Sequence, residues 1–242
     1  MQKDIIAFIK TIRYPLMLIG ALWIITLLDK TFDLYLPVLG IYPRELSGLP
    51  GIFLAPFIHS TWGHLASNTS PILVLTVIMT IFYPRVAMQA YLMIMVGTGV
   101  LVWLFARNSY HIGASGMVYG LVSYVFWTGV FRKNPKSIVL GLIVIILYSG
   151  MFASMFPNVE KNISWESHLF GAIVGFVTAF ILKNMIETDE INEHQVENKA
   201  IVRQFYLSRD TFEMTKRERY LLFLEAERQR MEELKNNLEN GN

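Results

Sequence analysis

Long uncharged apolar runs, separated by short polar or charged breaks, fill the first three quarters of the 242-residue chain. A helix needs about 20 such residues to cross the hydrocarbon core of a bilayer. Residues 65–83, 86–106, 112–131, 137–159 and 167–182 meet or approach that length. A sixth run, 14–28, ends at Asp29, so a helix there must borrow flanking residues or let Arg13 snorkel to the interface. No small-residue cleavage site follows that run, which reads as a retained anchor and not as a secretory signal. The pattern therefore predicts an all-α polytopic membrane protein with six transmembrane helices. Between residues 29 and 62, Pro37, Pro43, Pro50 and Pro56 interrupt a stretch rich in Phe, Leu, Ile and Tyr. That loop is too apolar for a solvated linker and too interrupted for another span, so it is expected to lie partly in the outer interface.

Charge sharpens this picture. Only 17% of the residues are charged and 53% are hydrophobic, against roughly 25% charged in an ordinary soluble domain. The net charge of +2 conceals a division: residues 1–185 hold 12 Lys/Arg and 6 Asp/Glu, whereas residues 186–242 hold 9 and 13. Three regions follow, a cytoplasmic segment 1–13, a membrane domain 14–185 and a charged cytoplasmic extension 186–242. Cations decide the orientation. Lys3, Lys10, Arg13, Arg85, Arg132, Lys133, Lys136 and Lys183 fall on one side, against Lys30, Arg44, Arg107 and Lys161 on the other. By the positive-inside rule both termini are cytoplasmic, and the second, fourth and sixth helices begin at the outer face. The absence of cysteine excludes disulfides, thiolate metal sites and cysteine nucleophiles. No long basic run suggests nucleic acid, and the acidic extension would repel phosphate.

Polar groups inside a membrane span are costly and mark candidate function. Three clusters stand at the starts of those three parallel helices: His59, His64 and Asn68; Gly113, Ser115 and Gly116; and His168. All can converge at one depth. Ser115 and Tyr119 lie one turn apart on a common face, and glycines on either side leave room around the hydroxyl. Glycines at small-xxx-small spacing, Gly116 with Gly120, also serve simply to pack membrane helices. Gly171 and Gly175 share a stripe with His168, which lets that helix press against a neighbour and carry the imidazole to it. A serine hydroxyl is a poor nucleophile until a neighbouring base takes its proton. His64 and Asn68, four apart, share a face suited to holding an oxyanion. No H-E-x-x-H pattern exists, and the five-residue step from His59 to His64 does not favour a zinc site; neither a metal nor another cofactor is expected.

In this combination the residues resemble the rhomboid family of intramembrane serine proteases. The likeness rests on H-x4-H-x3-N at 59–68, G-x-S-G at 113–116 with a tyrosine four residues after the serine, and H-x2-G-x3-G at 168–175, and it covers about residues 14–185. It implies a six-helix rhomboid-like bundle in which Ser115 is the nucleophile and His168 the general base. Asn68, His64 and the backbone N–H of Ser115 would form the oxyanion hole. Tyr119 would pack on the imidazole of His168, Gly113 would shape the substrate-facing loop, and His59 would be structural. The tryptophan-arginine pair common in the first outer loop of the family is missing, with Tyr42-Pro43-Arg44 a loose substitute, and Ser167 stands where alanine is common before the histidine. Glu166 is two residues from His168 and points elsewhere on a helix, so no acid completes a triad.

The resemblance further implies transmembrane protein substrates cut near the outer face through an acyl-enzyme. Ser60, Thr61, Asn108, Ser109, His111 and Ser164 are expected to line an opening for water. The alternative is a catalytically inactive rhomboid-like chaperone; relatives that lost catalysis have lost the serine or the histidine, and this chain keeps both. A transporter is disfavoured because no internal repeat is evident and the polar clusters gather at one face. The bacterial plasma membrane is the expected location. In the extension, Thr215-x-x-Glu218 reads as a capping box opening a helix through about Leu238. Leu224, Met231, Leu234 and Leu238 repeat for too few heptads to establish a coiled coil. A solvated extension is favoured over a dimerisation device, and the oligomeric state stays open.

Overall fold

The computed structural model describes residues 2–157, 164–185, 187 and 214–239. The chain divides into two compact units, Met1–Glu187 and Thr188–Asn242. The first holds six long helices: α1 (Gln2–Phe32), α2 (Trp62–Phe82), α3 (Ala87–Phe105), α4 (Ser115–Arg132), α5 (Pro135–Tyr148) and α6 (Trp165–Leu182). In the second, α7 spans Lys216–Glu239. No strand occurs among the described residues, only an isolated antiparallel bridge between Ile41 and His111.

Local chemistry sets the ends of these helices. Thr61 caps α2 by accepting from His64 N at 3.1 Å, and Ser164 caps α6 by accepting from Ser167 N at 3.3 Å. Asn134 accepts from Lys136 N at 2.8 Å to start α5, with Pro135 in the first helical position, where a missing N–H costs nothing. The apolar run at 14–28 does borrow its flanks: α1 runs unbroken from Gln2 to Phe32, and its apolar part, Thr11–Phe32, continues past Asp29. Asp29 is tolerated because its carboxylate accepts from Leu36 N at 2.8 Å and pairs with Lys30 at 2.9 Å. The predicted run 137–159 is less regular. Its α-helix ends at Tyr148 and tightens into a 3₁₀ segment, Ser149–Met155, while its expected end at Val159 and the loop cation Lys161 lie outside the described residues.

Five helices are long and apolar enough to cross a membrane, which makes the chain a multi-pass membrane protein. The exception is α4, whose glycines, serines, tyrosines and threonine dilute its hydropathy. It can carry them because it is the central helix, packed against α2, α3, α5 and α6 and so shielded from lipid. Leu65, Ile72, Leu75 and Met79 of α2 meet Ile94 of α3 and Val118, Leu121 and Val125 of α4 in one fully buried core. The closest approach is between α4 and α6. A methyl group added at Gly171 would lie 2.2 Å from the carbonyl oxygen of Gly116, and one at Gly175 would lie 2.1 Å from that of Gly120. The two backbones therefore touch, as small-residue helix pairs do in membranes.

The proline-rich loop folds onto the bundle end where α2, α4 and α6 begin. Ile41 exchanges both backbone hydrogen bonds with His111, and Gly113 N donates to Ala55 O at 2.8 Å. Arg44 donates to the carbonyls of Leu104 and Ala106 at 3.3 and 2.9 Å and to the side chain of Asn108, while Trp103 Nε1 donates to Glu45 O at 2.9 Å. The loop is thus anchored without the tryptophan-arginine pair: its arginine satisfies the last carbonyls of α3, which a helix end leaves without intrahelical partners.

Candidate active site

Ser115 is the first residue of α4, so its side chain stands at the mouth of the bundle and its backbone N–H lacks an intrahelical acceptor. His168 is four residues into α6 and 94% buried. Contact between α4 and α6 at Gly116 and Gly171 carries the two side chains together, and Ser115 Oγ lies 2.9 Å from His168 Nε2. On the other side of the ring, His168 Nδ1 lies 3.0 Å from the carbonyl oxygen of Ser154. A carbonyl only accepts, so Nδ1 carries the proton and Nε2 presents a lone pair to the serine hydroxyl. Tyr119 lies flat on the imidazole, with ring centres 4.2 Å apart and planes inclined by 13°. Its hydroxyl donates to Met151 O at 2.6 Å. Both carbonyls belong to the 3₁₀ segment after α5, so one short stretch of backbone orients both rings.

The α2 cluster faces the same place. Gly113 has φ +102°, a region that side chains with a Cβ rarely adopt. A Cβ there would lie 2.6 Å from the His64 ring and 3.7 Å from Asn68 Nδ2. The loop two residues before Ser115 therefore sits directly on His64 and Asn68. Asn68 is buried and uses one amide hydrogen on His64 O at 3.1 Å, leaving the other of its two donors for a further acceptor. His59 precedes α2 instead of extending it, so the five-residue step does not separate the histidines. Their rings meet edge to face at 5.0 Å. Burial pushes the His59 imidazole down to about 4, with His64 adding to the effect. Among the described residues no group of three His, Asp or Glu side chains could hold a metal ion.

Two of the residues expected to line a water opening do something else. His111 is 98% buried, and its Nε2 donates to Arg107 O at 2.9 Å while Nδ1 accepts from Ser164 Oγ at 2.6 Å. Ser164 Oγ continues to Ser167 Oγ at 2.7 Å, so the hydroxyl at 167 belongs to this chain and does not reach the imidazole as a spare group. The network welds the loop before Ser115 to the cap of the helix that carries His168. Burial lowers the His111 pKa, which favours the neutral ring. Glu166 points away from His168 as expected and meets Arg107, with N–H···Oε1 at 3.4 Å and Nε···Oε1 at 3.6 Å. Ser60, Thr61 and Asn108 are exposed. A small cavity of about 30 Å³, lined by Thr98, Gly113, Gly116 and Ser167 among others, adjoins the site, and that volume holds a water molecule.

Sequence reasoning missed Ser154 and Met151, which act through backbone carbonyls and carry no sequence signal. Arg44, singled out in the sequence only as part of a loose substitute for the missing pair, proves to hold the loop.

Comparison with known proteins places this geometry in context. Residues 47–185 match the Rhomboid domain family. An uncharacterized protein of Mycobacterium tuberculosis is 33% identical over 172 residues, covering 68% of this chain and 72% of its own. An uncharacterized protein of Mycobacterium leprae is 30% identical over 169 residues, 66% of this chain and 67% of its own. Rhomboid-like protein 11, chloroplastic, of Arabidopsis thaliana is 28% identical over 141 residues, 53% and 50%.

Proposed function

The chain belongs to the rhomboid family, and from that premise we propose that it is an intramembrane serine endopeptidase with Ser115 as nucleophile and His168 as general base. The observation that carries this reading is the 2.9 Å contact from Ser115 Oγ to an imidazole nitrogen whose lone pair is directed by the Ser154 carbonyl. As Oγ attacks a substrate peptide carbonyl, its proton passes to Nε2 and a C–O bond forms. The oxyanion is taken up by the Asn68 amide, the His64 ring and the Ser115 N–H. Collapse breaks the C–N bond, and the leaving amine takes the proton from Nε2. Water then adds to the acyl-enzyme, giving its proton to the same nitrogen, and the ester breaks to restore Ser115.

Among the described residues no carboxylate touches the imidazolium that forms in each half of the cycle. Two neutral groups do so instead: the Ser154 carbonyl accepts from Nδ1–H throughout, and the electron-rich face of Tyr119 lies against the cation. The substrates are transmembrane helices of other proteins, bearing small or helix-breaking residues where α2, α4 and α6 begin, since a scissile bond must leave its helical hydrogen bonds before attack. With the cation distribution read from the loops, that end faces outward from a plasma membrane and both termini are cytoplasmic.

Replacing Ser115 by Ala should abolish cleavage of a reconstituted transmembrane substrate and labelling by a fluorophosphonate, with the melting temperature in detergent unchanged. Cleavage that persists in the Ser115→Ala variant would overturn the assignment; labelling absent from the unaltered chain would favour a rhomboid-like protein that binds without cutting.

A further inference from the structure

Only 2% of Glu187 is exposed, although it lies at the end of the bundle away from Ser115, where the mechanism has no use for a carboxylate. Removing a carboxylate from water is costly, and in a membrane protein such a group points to a task. Its Oε2 accepts from Arg85 N at 3.2 Å, in the turn that leads into α3. Two residues earlier, Met185 O accepts from Arg132 Nη2 at 2.6 Å, and Arg132 is the last residue of α4. Since α6 packs on α3 and α4, the chain leaving α6 is tied by polar bonds to the same two helices. Beneath these bonds lie the buried rings of Tyr83 and Tyr124, edge to face at 5.9 Å, with the Arg132 guanidinium 5.5 Å from the Tyr83 ring centre. Leu182, where α6 ends, belongs to the same core.

We propose that Glu187 is a positioning residue for the dyad, seated so that α6 holds His168 Nε2 against Ser115 Oγ. The inference rests on the Ser115–His168 pairing of the proposed function. Apolar contacts alone would close this end of the bundle, but they are non-directional and let a helix slide. A hydrogen bond to a fixed N–H has a preferred geometry and sets one position. The backbones of α4 and α6 touch at Gly171 and Gly175, which therefore act as a pivot. At about 1.5 Å per residue, His168 stands about 7 Å to one side of the middle of that pivot and Leu182 about 13 Å to the other. A shift of about 2 Å at the tied end then moves the imidazole by about 1 Å, and a displacement of that size at a reacting pair costs on the order of 100-fold in rate.

The test uses the full-length protein in lipid bilayers. Glu187→Gln keeps an acceptor for Arg85 N–H and should keep nearly all of kcat. Glu187→Leu fills the same space without one. Arg85 is exposed and Arg132 half-buried, so losing the carboxylate strands no buried charge, and the melting temperature should hold. In this variant kcat should fall about tenfold or more with KM unchanged. Nitrogen NMR of the histidine-labelled protein reads the contact itself. The His168 Nε2 resonance, identified by its absence in His168→Gln, should move in Glu187→Leu to its position in Ser115→Ala. The natural chain has no cysteine, so Arg85→Cys with Glu187→Cys gives a second check that does not rely on leucine. Bridging the two thiols with a short bis-thiosulfonate should restore the parent resonance and kcat, and a reductant should undo both. A Glu187→Leu variant with the parent kcat and resonance, activity that falls only in step with melting temperature, or a bridge without effect would each overturn the proposal. The resonance needs no turnover: a parent chain that cuts nothing, but whose His168 signal still depends on Ser115 and on Glu187, would sink the peptidase reading and leave the positioning role standing.

Discussion

Among the described residues, the groups that touch the His168 ring and orient it are neutral. In place of a buried carboxylate, whose desolvation in a membrane protein would be expensive, it has a backbone carbonyl on Nδ1 and a tyrosine face at 4.2 Å. Tyr119→Phe keeps the stacked ring and deletes the bond to Met151 O. A neutral hydrogen bond is worth about 1 kcal/mol, so kcat should fall about fivefold with KM unchanged. Tyr119→Ala, which also removes the stack, should fall further, and steady-state cleavage of one substrate by both variants checks the order. His59 makes a different prediction at this scale. It is held neutral in the fold with its pKa near 4, whereas in the unfolded chain it titrates near its ordinary 6.5. Between those values only the unfolded state binds the proton, so stability rises with pH there and is lost as pH falls from 6.5 toward 4, by up to about 3 kcal/mol. Melting temperatures in detergent should drop across that window, and His59→Leu should flatten the slope.

Among the elements, α4 and α6 carry the proposed dyad, and their glycines set how close Ser115 and His168 come. Gly171→Ala would drive a methyl group into the Gly116 carbonyl, 2.2 Å away. Overpacking of this kind costs about 1–3 kcal/mol, and a displacement of 1 Å at a reacting pair costs on the order of 100-fold in rate. Activity should therefore fall far more than thermal stability, and comparing the two readouts on one preparation tests it. The other elements fix the same pair from outside. The 3₁₀ segment after α5 supplies the carbonyls for His168 and Tyr119, and His111 ties the loop before α4 to the α6 cap through Ser164. None of these connections has a motif, because each depends on which backbone or buried side chain the packing brings alongside.

At the scale of the whole molecule, the unit Met1–Glu187 is closed at the end of the bundle away from Ser115 by the residues just after α6. Arg132 donates to Met185 O at 2.6 Å, and Arg85 N donates to the buried Glu187 carboxylate at 3.2 Å. A chain cut after residue 187 should keep fluorophosphonate labelling and its melting temperature, whereas one cut after 182 should melt several degrees lower. Much of this protein is set by its sequence alone. Helix number and position follow from uncharged length, because the bilayer admits little else, and the cations of the loops carry the expected orientation. Ser115, His168, His64, Asn68 and Gly113 could be singled out because polar groups and glycines are conspicuous against an apolar background. Tertiary structure decided the rest. It made His59 a ring neighbour of His64, turned His111 and Ser164 from an imagined water channel into a buried brace, and gave the imidazole its tautomer. These are relations between segments far apart in the chain, built largely from backbone carbonyls that every residue possesses, so no residue type announces them before the helices have packed.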